Sequence, residues 1–141
     1  MPSDCSKKYP EYDLAYKKAS YDKRRQDKTW PELFKEIART LRYRNKKLHA
    51  CSYEISAEEL ESMFFSQNGM CAYTGRILEK PITTDGPRNI NVLSIDRIDS
   101  TGAYTPDNIA LVCWGANVAK HEMSLTEFVT LCHQIAAKHP L

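Results

Sequence analysis

The chain has 141 residues, 42% hydrophobic and 27% charged, with a net charge of +2, enough for one modest core. No stretch approaches the roughly 18–20 apolar residues of a membrane helix, and the start, MPSDCSKKYPEYD, has no apolar signal region, so a cytoplasmic protein without a membrane partner is expected. Five cysteines without paired spacing suit a reducing compartment and exclude a disulfide framework.

Charge is unevenly spread. Residues 1–50 carry +7 and residues 51–141 carry −5. This suggests a basic helical arm (1–50) beside a core (51–141) that carries acidic ligands. In the arm, a first helix is expected over 11–25, with Leu14, Tyr16 and Tyr21 on its apolar side. Thr29-Trp30-Pro31 opens a second, because proline suits a first helical turn. Leu33, Phe34, Ile37, Ala38 and Leu41 then recur at helical spacing and would anchor the arm. Lys35, Arg39, Arg42, Arg44, Lys46 and Lys47 lie mostly elsewhere and are candidates for contacting nucleic-acid phosphates; the plain alternative is a solvated basic face.

Ser56-Ala57-Glu58-Glu59 is a capping box for a third helix reaching about Gln67, closed by Asn68-Gly69, with Leu60, Met63 and Phe64 inward. Cys71–Gly75 reads as a tight turn, and residues 79–89 as an exposed loop. Near the end, Ser124-Leu125-Thr126-Glu127 starts a last helix to about Lys138, with Leu125, Phe128, Val129, Cys132, Ile135 and Ala136 inward.

Between these helices lies the most informative stretch. A short apolar run (91–95) delivers Asp96, and a polar loop with Gly102 and Pro106 follows. A second run (109–113) leads into a helical pattern holding Asn117, Lys120 and His121. Strand, loop, strand and helix in so short a span can aim a few oxygen and nitrogen donors at one metal ion. Asn117 and His121, four apart, would share a helix face. Singly, Asp96 and Asn108 read as turn formers or loop caps sooner than as catalytic residues.

This segment resembles the HNH nucleases, the ββα-metal members of the His-Me finger superfamily, and is most similar to small phage-type proteins with a DRID…GYxxxN…N..K pattern. The nine-residue interval from Asn108 to Asn117 is similar to that in the HNH domain of RNA-guided CRISPR nucleases and in colicin DNases. The resemblance implies an α+β fold, a small two-stranded ββα-metal finger flanked by helices on both sequence sides. It implies that Asp96 and Asn117 bind a divalent ion (Mg²⁺, Mn²⁺ or Ni²⁺) and that Asn108 braces the loop. His121 matches a further metal ligand of the colicin DNases, and Lys120 is placed for a phosphate contact or stands as a solvated helix lysine. The structural-zinc knuckles of many HNH proteins are reduced here to Cys71 and Cys113, too few for a closed site, so no structural zinc is expected and the two thiols should pack near each other.

The family's general-base histidine is replaced by Arg97. A guanidinium is always protonated and cannot take a proton from water. Three readings stay open: Arg97 clamps a phosphate or a carboxylate such as Asp99; it stabilises charge on the phosphorane; or another residue, such as His121, is the base. The other histidines, 49, 133 and 139, read as ordinary surface or helix residues. The function implied is a metal-dependent DNA endonuclease or nickase. The alternatives are a catalytically weak or inactive DNA-binding module with the same fold, and a factor whose acidic half meets a host protein.

Overall fold

The computed structural model describes residues 28–81 and 88–141. The helix expected over 11–25 lies outside the described residues. Four helices and one two-stranded antiparallel sheet make an α+β fold in which a ββα unit is flanked by helices on both sides.

Helix α1 (Trp30–Leu48) begins as its sequence asks: Thr29 caps Glu32 N, the Glu32 carboxylate returns to the Thr29 backbone, and Pro31 occupies the first turn. Helix α2 (Ala57–Ser66) repeats the device with Ser56 and Glu59. In both, the reciprocal bonds lower the glutamate pKa, led by the Thr29 backbone at Glu32 and by the Tyr53 hydroxyl at Glu59. Stacked and tilted rings of Trp30, Phe34 and Phe64, with centroids 4.6–5.8 Å apart, join the two helices. The chain leaves α2 through Asn68 and Gly69, both at positive φ. Gly69 is needed there, since a Cβ would stand 3.2 Å from the Phe64 ring.

Strands β1 (Leu93–Arg97) and β2 (Ile109–Cys113) pair with Asp96 opposite Ala110 and Arg97 opposite Ile109. All five β2 residues are buried, so the strand is covered on both faces. Helix α3 (Trp114–Lys120) starts straight off β2 without a side-chain cap. The Ile90 and Val92 carbonyls accept from Gly115 N and Trp114 N instead. Gly115 is required for that approach, because a Cβ would meet the Ile90 Cβ at 3.0 Å.

One core runs through the described residues: Leu33, Phe34, Ala38 and Leu41 of α1 belong with Leu60, Leu78, Leu111 and Val112. Helix α1 is anchored to the sheet-bearing unit through this core. Helix α4 (Leu125–Lys138) corrects one expectation. It has its capping box, but none of its residues is buried. Leu125, Phe128, Val129, Cys132 and Ala136 line a shallow groove with Ala72, Tyr73 and Thr74, while Ile135 stands exposed. The stripe predicted to point into the core meets only one turn of chain. Among the described residues no helix is long and apolar enough to cross a membrane.

Candidate active site

The ββα unit and α1 enclose an open cleft of about 760 Å³. Asp96 and Arg97 from β1, Asn117 and Val118 from α3, and Arg44 from α1 line it, with Arg88, Trp114 and Tyr104 around them. The sequence-predicted carboxylate and carboxamide thus share one wall. Asn117 Nδ2 donates to Ser94 Oγ (2.6 Å) and to the Ile95 carbonyl (3.3 Å), which fixes the side chain beside the strand end that carries Asp96. Its Oδ1 has no hydrogen-bond partner among the described residues.

Asp96 is almost fully buried. Its Oδ2 accepts from the Tyr73 hydroxyl at 2.7 Å and from Lys120 Nζ at 3.1 Å. Burial first, then the hydrogen bond to Asp96, pushes the Tyr73 phenol well above its ordinary range, so it remains a donor at any physiological pH. Lys120 neither stands in solvent nor lines the cleft. It has no exposed surface, and its ammonium also reaches the Arg97 carbonyl at 3.1 Å. A lysine in the last turn of a seven-residue helix has a long enough stem to pass under the strand.

His121 also departs from its sequence reading. Helix α3 ends at Lys120, and His121 leaves it at φ 50°. The four-residue spacing from Asn117 therefore does not put the two side chains on one helical face. His121 sits exposed at the mouth of the same cleft. Asn108 Nδ2 donates to the Asp99 and Ala103 carbonyls, and its Oδ1 accepts from Asp99 N at 2.9 Å. It holds the loop and does not face the cleft wall.

Arg97 does not pair with Asp99, whose carboxylate instead accepts from the Thr101 hydroxyl and backbone, bonds that lower its pKa. The guanidinium lies over the Tyr104 ring, 5.0 Å from its centroid. Its Nη1 donates to the Gly102 carbonyl (3.0 Å) and meets His49 Nε2 at 2.8 Å. His49, read from sequence as an ordinary residue, is therefore a neighbour of the site. No spacing signal pointed to it, because 48 residues separate the partners. Asn45 was missed for the same reason. Wholly buried, it accepts from Tyr104 N (2.7 Å) and donates to Tyr104 O (2.8 Å), which pins the loop to α1; a polar residue within the helix's apolar stripe was the clue available.

Of the basic candidates, Arg44 lines the cleft, where it donates to the Tyr104 hydroxyl at 3.4 Å. Lys35, Arg39, Arg42 and Lys46 recur at helical spacing along a different side of α1, with Lys46 paired to Glu54 at 2.9 Å. Lys47 bonds the Tyr43 hydroxyl and lies over its ring. Arg88, over the Trp114 ring, adds a cleft cation that the sequence reading did not single out.

No family model matches this chain, and no curated protein does. Among solved structures, the rare-cutting HNH restriction endonuclease PacI is similar at 23% identity, with a TM-score of 0.47 over 71% of this chain and 74% of that one.

The donor set is sparse. Among the described residues no three His, Cys, Asp or Glu side chains come together as a metal cage. One carboxylate and one carboxamide oxygen on an open cleft nevertheless fit a hard divalent ion that keeps most of its waters. At the reduced zinc positions Cys71 and Cys113 are both buried. Burial raises the Cys71 thiol, but hydrogen bonds from Thr74 and the Cys113 backbone outweigh it and hold the pKa low.

Proposed function

We propose that this chain is a divalent-metal-dependent endonuclease of HNH type that hydrolyses phosphodiester bonds in DNA. The observation that carries the reading is that Asp96 and Asn117, 21 residues apart in sequence, line one wall of a cleft whose other lining includes Arg44, Arg88 and Arg97. Three guanidinium groups around one concave surface suit a phosphodiester backbone. Asp96 and Asn117 would hold the ion, with His121 placed at the mouth. A divalent ion bound there supplies Lewis-acid stabilisation of the scissile phosphate and its leaving oxygen.

The residues of the chain do the rest. Tyr73 and Lys120 orient the Asp96 carboxylate through hydrogen bonds to its oxygens. Asn108 and Asn45 fix the loop between the strands, so that the strand ends keep their spacing. Arg97 and Arg44 neutralise phosphate charge. Incubation of supercoiled plasmid with the protein and Mg²⁺, Mn²⁺ or Ni²⁺ tests the reading: nicking should appear with at least one ion and vanish in Asp96→Ala and Asn117→Ala. No cleavage with any ion, or unchanged cleavage in both variants, defeats it. The second reading, a DNA-binding module without hydrolysis, is favoured by Arg97 at the base position, and predicts salt-sensitive retention of the plasmid without nicking.

A further inference from the structure

Arg97 Nη1 and His49 Nε2 stand 2.8 Å apart. A guanidinium can only donate, so the 2.8 Å contact requires a lone pair on His49 Nε2. The tautomer that offers this lone pair carries its proton on Nδ1. Arg97 Nη1 has two hydrogens, and His49 Nε2 and the Gly102 carbonyl take both. The Tyr104 ring covers one face of the guanidinium. Nε and Nη2 make no hydrogen bond among the described residues, and the side chain lines the cleft. That Nε–Nη2 edge presents two parallel N–H groups, the fork that meets two oxygens of a phosphate.

The backbone builds this arrangement deliberately. Helix α1 ends at His49, which caps it with its own N–H on the Asn45 carbonyl, and Ala50 turns the chain at φ 46°. One turn earlier, Asn45 grips the Tyr104 backbone with both ends of its amide. The His49 ring packs edge-on to the Tyr104 ring, with centroids 6.0 Å apart. The end of α1 therefore holds the loop and the arginine together.

We propose that His49 is a positioning residue: it fixes the Arg97 guanidinium so that its Nε–Nη2 edge is presented to a phosphate in the cleft. This rests on the endonuclease reading for its consequence, but not for its geometry. His49 does not line the cleft, and its accepting nitrogen is already engaged, so it acts through Arg97 rather than on water.

Two substitutions and one spectrum test it. His49→Gln keeps an accepting oxygen for Nη1; His49→Leu does not. At saturating ion, His49→Leu should lose about tenfold or more in plasmid nicking, the scale on which misplacement of a group tells, while His49→Gln stays within about threefold of the parent. Equal loss in both variants would overturn the proposal in favour of a proton-transfer role, and unchanged nicking in His49→Leu would overturn it outright. Should the parent protein cut nothing, the geometry is tested separately by ¹⁵N NMR of the uncut, DNA-free chain. His49 should show a protonated Nδ1 and an unprotonated Nε2. The Arg97 side-chain N–H signals should show hindered rotation that is lost in His49→Leu and kept in His49→Gln. A proton on Nε2, or Arg97 signals indifferent to both substitutions, refutes it whatever the enzyme does.

Discussion

Replacing Lys120 by methionine removes a charge with little change of volume, so the cost isolates the buried ion pair. Lys120 Nζ reaches Asp96 Oδ2 at 3.1 Å, Asp96 Oδ1 at 3.4 Å and the Arg97 carbonyl at 3.1 Å, with no exposed surface of its own. Removing one partner of a buried pair costs about 3–5 kcal/mol, because the other charge remains uncompensated. Here Asp96 keeps the Tyr73 hydroxyl and borders an open cleft, so the lower end, about 3 kcal/mol, applies. For a chain of this size that is a fall of roughly 10 °C in Tm. Removing both charges tells a different story: Asp96→Leu with Lys120→Met orphans only the Tyr73 hydroxyl and the Arg97 carbonyl, and should lie within about 1–2 kcal/mol of the parent. Urea unfolding followed by tryptophan fluorescence and far-UV circular dichroism measures all four corners of the cycle. A loss below about 1 kcal/mol in Lys120→Met, or a double variant whose cost is the sum of the singles, would refute the argument that the pair is buried and coupled.

Glu32 and Glu127 have pKa values depressed by their capping boxes, and Glu59 by the Tyr53 hydroxyl first and its capping box second. The stability they contribute is present above the ordinary carboxylate value of about 4.5 and is lost as pH falls below it; urea midpoints at pH 7, 5 and 3 should show the decline, and a triple Glu→Gln variant should show less of it. Asn108→Ala removes two donated bonds and one accepted bond from the inter-strand loop and should cost about 1–3 kcal/mol by chemical unfolding. Gly102→Ala would put a Cβ 2.7 Å from Asn108 Nδ2, so it should destabilise by about 1–3 kcal/mol through the same brace, and more weakly in an Asn108→Ala background.

What the sequence disclosed was local. Capping boxes at Thr29, Ser56 and Ser124 act within four residues, and all three helices begin where the pattern places them. The two apolar runs became β1 and β2, and the order strand, loop, strand, helix brought Asp96 and Asn117 to one cleft. What it concealed depended on contacts between distant segments. His49 meets Arg97 only because Asn45 ties the end of α1 to the Tyr104 loop, and no periodicity records that. The burial of Lys120 was hidden because a lysine in a last turn is ordinarily solvated. His121 was misplaced by extending a helix one residue too far, where the chain turns to positive φ. The apolar stripe of α4 shows the reverse failure: the periodicity was correct, but a stripe says nothing of how much partner surface exists to cover it.

Lys120 bears on the order in which ligands join the protein. With an ammonium lodged against Asp96, the pocket offers an arriving cation no net negative charge. On the endonuclease reading, attraction for that cation would fall to the phosphates, and nucleic acid and metal would reinforce each other's occupancy by the same factor, as linkage demands. A cleft so arranged would fill with its ion only once the polymer is bound.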